Sequence, residues 1–229
     1  MEQQKLKRLT GYLREFATEE RWETISEVAA KRTRHITVVV ENIYQPHNAS
    51  AVLRSCDGFG IQDVYIIEND NEFDASSQVT IGADQWLNIQ RFNKKGVNNT
   101  ISCINTLKEK GYQIIATSPH ENDTDLNNLS VDQKTALVFG NELDGISDTV
   151  KEMADGYVKI PMTGFSESFN ISVSAAICLY DVTLRLRNSE VSWRLDEDEL
   201  EQLKYEWLKN SIKAGDELEK KWLKNNPDT

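Results

Sequence analysis

Between residues 35 and 160, short apolar runs bounded by turn residues alternate with segments of helical periodicity. The runs cover residues 35–41, 63–68, 112–117, 136–140 and 157–160. Their apolar positions are continuous rather than alternating, the pattern of strands buried on both faces. Residues 48–57, 100–110 and 147–153 read as the intervening helices, and a longer helix follows at 171–186. Such alternation predicts an α/β fold with a mostly parallel sheet, whose ligand sites lie at the carboxyl ends of the strands. On either side the pattern is helical only. Residues 3–33 predict two short helices, the second with Trp22, Ile25, Val28 and Ala29 on one face. After Arg187, Asp196 and Glu199 stand at capping-box spacing ahead of a Leu200, Leu203, Trp207, Leu208 stripe. The expected division is an N-terminal helical extension at 1–34, an α/β core at 35–188 and a C-terminal helical extension at 189–229.

Length and charge refine this picture. A chain of 229 residues suits one substantial core with appendages. No run approaches the roughly 18 apolar residues of a membrane span, and the polar first residues lack a signal-peptide apolar region, so a cytoplasmic protein with no membrane association is expected. Cys56, Cys103 and Cys178 lack metal-ligand or disulfide spacing and are expected to be buried thiols; no metal is expected. The net charge of −11 argues against broad nucleic-acid affinity. Residues 1–35 nevertheless carry eight Lys and Arg against six Asp and Glu. Any RNA binding should therefore be confined to local basic patches and sensitive to salt.

Three polar clusters follow strand ends: residues 41–48 leading to Arg54, residues 139–147, and the turn at 160–170. In the last, Pro161 and Gly164 stop the strand, Ser168 or Asn170 can cap the next helix, and Ser172, Ser174, Ala175 and Ala176 leave room for close approach. A helix start also directs free N–H groups outward, suited to polar or anionic ligand parts. One sheet edge carrying all three clusters would gather a guanidinium, a carboxylate and several amides and hydroxyls in one pocket. The chain has no GxGxxG, GxxxxGK[ST] or GxSxG, which makes a Rossmann dehydrogenase, a P-loop enzyme and an α/β hydrolase poor readings.

In order, NxxxxxR at 48–54, FGNELDGIS at 139–147 and IPMTGFSESFNISVSAA at 160–176 resemble the three motifs of the SpoU/TrmH family of RNA ribose 2'-O-methyltransferases. The resemblance spans residues 35 to about 187. Its flanks, VAAKRTRH at 28–35 and the Trp-bearing acidic helix after the core, look like the TrmH-type tRNA enzymes of that family. Phe165 departs from the Met found there in some relatives.

The resemblance implies a SPOUT fold with a C-terminal deep trefoil knot, a homodimer with the pocket near its interface, and S-adenosylmethionine held largely by backbone groups. Matching cofactor positions are Thr117, Gly140, Ile160 and Phe169. Arg54 matches the residue assigned to activation of the ribose hydroxyl, with Asn48, Glu142, Ser168 and Asn170 as its orienting neighbours. Since arginine is a poor base, Arg54 either acts with a substrate phosphate or stabilises the developing alkoxide. Arg21, Lys31, Arg32, Arg34, Arg185, Arg187 and Arg194 are the expected RNA contacts. The implied substrate is tRNA, with methylation of the D-loop guanosine at position 18. Methylation of rRNA or of another tRNA position, or an idle RNA-binding knotted protein, stand as alternatives; the intact polar set disfavours the idle one.

Overall fold

In the computed structural model, which describes residues 3–70, 82–118 and 124–226, the chain divides into two compact units. One comprises residues 33–193, the other residues 1–32 together with 194–229. The first unit holds a parallel sheet of β1 (Ile36–Glu41), β2 (Asp63–Ile67), β3 (Asn88–Phe92), β4 (Gln113–Thr117), β5 (Thr124–Asp125), β6 (Thr135–Phe139) and β7 (Gly156–Lys159). Their spatial order is β3-β2-β1-β6-β4-β7-β5. The central ladder aligns Val38 with Leu137 and Val40 with Phe139, and β4 takes the other side of β6 through Ile115 and Leu137.

The continuous apolar runs are explained by helices on both faces. Val38 and Val40 of β1 face a core shared with Val52, Leu53 and Cys56 of α3 (Pro46–Gly58) and with Ala175, Cys178, Leu179 and Val182 of α6 (Ile171–Arg187). Val39, one residue out of phase, faces the opposite core with Cys103, Ile104 and Leu107 of α4 (Asn99–Glu109) and Val150 of α5 (Asp148–Met153). All three cysteines are buried and free. Two strands escaped the sequence pattern. β3 is a half-exposed edge with the polar sequence NIQRF, and β5 has only two residues.

The second unit is helical: α1 (Gln3–Arg14), α2 (Glu19–Ala29), α7 (Glu197–Ser211) and α8 (Gly215–Asn225). The two terminal segments, separate in sequence, thus share one small core. Leu6, Leu9 and Leu13 of α1 and Ile25 and Ala29 of α2 are buried, as are Leu203, Tyr205, Trp207 and Leu208 of α7. The capping box forms as its spacing predicts: Glu199 N donates to Asp196 Oδ1 at 2.8 Å, and Asp196 N donates to Glu199 Oε2 at 3.2 Å.

Leu137 is fully buried where β6 pairs with both β1 and β4. Truncation there leaves a cavity that paired strands cannot close, so Leu137→Ala should lower unfolding stability by about 2–5 kcal/mol. Chemical denaturation at fixed protein concentration measures the loss; one below about 1 kcal/mol would show that the sheet relaxes around the site.

Candidate active site

Three connections leave the carboxyl edge of the sheet close together. After β1, Asn42 adopts a left-handed φ of 52°, and its side-chain oxygen accepts from Asn69 N at 2.8 Å and Asp70 N at 3.2 Å. The chain then enters α3 with Pro46 in the first turn, where a missing N–H costs nothing. After β6, Gly140 and Asn141 open a tight loop closed by reciprocal backbone bonds, Asn141 N to Gly145 O at 2.9 Å and Gly145 N to Asn141 O at 3.2 Å. Asn141 Oδ1 also accepts from Leu143 N and Asp144 N. Ser147 then caps α5 through Val150 N. After β7, the turn ends at Asn170, which caps α6 by accepting from Ser172 N at 2.8 Å and Ser172 Oγ at 2.6 Å.

The second and third of these segments, with Thr117 and Ser118 after β4, surround a cavity of about 320 Å³, and the turn after β1 lies outside its lining. All four positions expected to hold the cofactor, Thr117, Gly140, Ile160 and Phe169, line it, as do Glu142 and Ser168 of the expected catalytic set. Sequence reasoning did not single out Leu143, Gly145 and Met162, also in the lining; the Asp-Gly dipeptide at 144–145 was the one available signal, and Gly145 has a φ of 70°. Cys178 lies in the wall, where burial and then Asp181 push its thiol up to about 12, so it is neutral.

Asn48 and Asn170 stand behind the lining and connect it. Asn48, 2% exposed, donates from Nδ2 to Glu142 Oε1 at 2.7 Å, while its Oδ1 accepts from Asn170 Nδ2 at 3.1 Å. Glu142 also accepts from Tyr44 N at 3.1 Å and Gln45 N at 3.3 Å. Burial by itself raises the Glu142 carboxyl, but the Asn48 amide and the backbone N–H groups of Tyr44, Glu142 and Gln45 outweigh it and hold the pKa below its usual 4.5. Arg54 follows on the same helix, exposed, and is not in the cavity wall.

The sequence profile of the SpoU rRNA Methylase family matches residues 35–180. This chain belongs to that family. The SpoU-family core identified by the profile coincides with the sheet unit and includes all three turns. Over 213 residues the chain is 39% identical to a tRNA (guanosine(18)-2'-O)-methyltransferase of Borreliella burgdorferi, covering 93% of this chain and 95% of that one. The crystal structure of the TrmH/SpoU tRNA modifying enzyme of Aquifex aeolicus superposes with a TM-score of 0.74 at 30% identity, covering 85% of this chain and 98% of that one. The SpoU methyltransferase AviRb of Streptomyces viridochromogenes in complex with AdoMet shares the fold, with a TM-score of 0.60 at 22% identity over 71% of this chain and 65% of the other.

The basic residues expected to meet RNA differ in their surroundings in this SpoU-family chain. Arg21, Lys31, Arg187 and Arg194 are exposed, with Arg187 Nη2 donating to Phe59 O at 2.7 Å. The expectation is corrected for Arg32, which is 1% exposed and lies over the Trp207 ring at 5.0 Å, a brace within the helical unit. Arg185 is also turned inward, bonded to Asp181 Oδ2 and to the carbonyls of Leu126 and Leu129. Arg34 pairs with Asp63 Oδ2 at 3.1 Å. In each case a local anion, carbonyl or aromatic face lies against a guanidinium that the sequence had assigned to RNA.

Two outcomes follow for the family's loops. A Cβ on Gly140 would overlap the Gly145 carbonyl and the Ile146 amide nitrogen, all backbone, so Gly140→Ala should open the 140–147 loop and abolish measurable ligand binding in calorimetry; normal binding would mean that the loop can shift as a body. For Glu142, a folded-state pKa below the unfolded one means that its stabilisation is present above pH 4.5 and is lost as pH falls through the lowered pKa. The stability difference between wild type and Glu142→Gln should therefore shrink on acidification in denaturation series; a pH-independent difference would contradict the hydrogen-bond account.

Proposed function

We propose that this chain is an S-adenosylmethionine-dependent tRNA ribose 2'-O-methyltransferase that modifies guanosine 18, acting in the cytoplasm as a homodimer. The observation that carries this reading is the Glu142–Asn48–Asn170 chain beside a cavity lined by Thr117, Gly140, Ile160 and Phe169. The relatives' tRNA (guanosine(18)-2'-O) specificity supplies the substrate. The cavity suits the methyl donor in its chemistry. Gly140 lets the backbone approach closely, Leu143, Met162 and Phe169 offer apolar surface, and Thr117, Ser118, Ser168 and Ser174 offer hydroxyls. S-Adenosylmethionine supplies an electrophilic methyl group on a sulfonium.

The residues of the chain do the rest. Glu142 and Asn48 hold the start of α3 against the cavity wall, Asn170 fixes the start of α6, and Ser168 presents a hydroxyl to the cavity. Holding the ribose hydroxyl and donor in line supplies much of the acceleration. Arg54 meets the charge that develops as the 2'-hydroxyl loses its proton, either through a substrate phosphate or by stabilising the alkoxide. Its position outside its own cavity favours a pocket completed at a dimer interface. Val173, Tyr180 and Leu184 of α6 are 43%, 59% and 47% exposed and recur at helical spacing, an apolar stripe suited to that interface. Insertion of β6 between β1 and β4, with β7 on the far side of β4, favours a trefoil knot in the segment running to α6. Arg21, Lys31, Arg187 and Arg194 are the RNA-facing residues of this reading.

The test is methyl transfer from labelled S-adenosylmethionine to two unmodified tRNA transcripts, one carrying 2'-deoxyguanosine at position 18. Label on the all-ribose transcript alone is expected. Equal label on both would move the target, and label on neither would overturn the reading. On the active transcript, Arg54→Ala should reduce turnover at least 100-fold, an effect on the order of one lost transition-state contact, with donor Kd nearly unchanged. Retained turnover would remove Arg54 from the chemistry.

A further inference from the structure

Glu41 ends β1 and is 1% exposed, although the methyl-transfer reading gives it no part. Its Oε1 accepts from Thr100 Oγ1 at 2.6 Å and from Ser147 Oγ at 2.8 Å, and its Oε2 accepts from Ser147 N at 3.0 Å. These three partners are neutral. A carboxylate buried against neutral donors costs more desolvation than an amide of the same shape, so its presence asks for a reason that shape does not give.

Hydrogen-bond direction supplies the reason. An ionised carboxylate only accepts, so each hydroxyl turns its single proton toward Glu41 and its lone pairs elsewhere. Thr100 Oγ1 then accepts from Asn69 Nδ2 at 2.9 Å, and Ser147 Oγ accepts from Val150 N at 3.2 Å, capping α5. A glutamine in this place would bring an amide N–H against groups that must donate. At least one bond would reverse or break, and the hold of β1 on Ser147 would loosen.

Ser147 ends the loop whose residues 140–146 all line the cavity. The start of that loop is fixed by the pairing of β6 with β1 and by the close approach of Gly140 to Gly145. Its far end is held by Glu41, the last residue of β1. We infer that Glu41 is a positioning residue: by fixing Ser147 it sets the 140–147 loop in the conformation that binds the methyl donor, without touching the donor itself. The inference rests on the methyltransferase reading and adds to it a determinant of donor affinity.

Titration calorimetry of full-length protein with S-adenosylmethionine, alongside tRNA binding by filter retention, tests it. Glu41→Gln should raise the donor Kd by about 10- to 100-fold, as expected for disrupted bonds to a buried charge, with tRNA Kd changed by no more than about twofold. A residue that merely supports folding would lower the binding stoichiometry and leave the donor Kd of the folded fraction intact, and that result would overturn the assignment. Should Glu41→Gln not fold, Ser147→Ala, which keeps the backbone N–H, should raise donor Kd roughly 3- to 10-fold; an unchanged Kd there would equally overturn it. Absence of donor binding by wild-type protein would instead refute the functional reading on which the inference stands.

Discussion

Asn48 is the side chain through which the site is held together. With its amide nitrogen on Glu142 and its carbonyl on Asn170, it ties the turn after β1 to the turn after β6 and to the start of α6. A primary amide can do this because it donates on one side and accepts on the other. A carboxylate in its place would repel Glu142, and a hydroxyl would not reach both partners. Burial makes the pair of bonds consequential, since unmatched polar groups in that position would pay the full cost of desolvation.

The sheet makes such a constraint useful. Parallel strands covered on both faces leave polar chemistry only at their ends, and here three connections from β1, β6 and β7 converge at one end. Each is held differently. The turn after β1 is fixed by Asn42 and by Glu142, which accepts the Tyr44 and Gln45 amides. The loop after β6 is fixed by Gly140 and its own backbone pairs. The turn before α6 is fixed by its Asn170 cap. The cavity lining sets the uncharged Thr117, Ile160 and Phe169 beside the charged Glu142, Asp144, Lys151 and Lys159.

Much of this was legible in the sequence, for reasons that can be traced. Buried strands appeared as continuous apolar runs because both faces are covered, and Asp196 with Glu199 announced the capping box that forms. Of the nine expected catalytic and cofactor positions, six line the cavity. What stayed hidden depended on contacts between distant positions. The edge strand β3 has no apolar signature, and no local pattern tells that the two terminal segments share one helical unit. Asn48 read as the start of α3, yet the helix begins at Pro46 and Asn48 serves Glu142 instead. Arg32 and Arg185 looked like surface cations because Trp207, Asp181 and the Leu126 and Leu129 carbonyls, which occupy them, lie far off in sequence.

Hydrogen–deuterium exchange with and without S-adenosylmethionine tests the central claim, that Asn48 ties the turn after β1 to the two turns that line the donor site. The account predicts that the donor slows exchange together in residues 42–48, 140–147 and 165–172 of wild-type protein, and that in Asn48→Ala this joint protection breaks up, with the 42–48 segment no longer responding. Protection confined to one turn, or an undiminished joint response in Asn48→Ala, would contradict it.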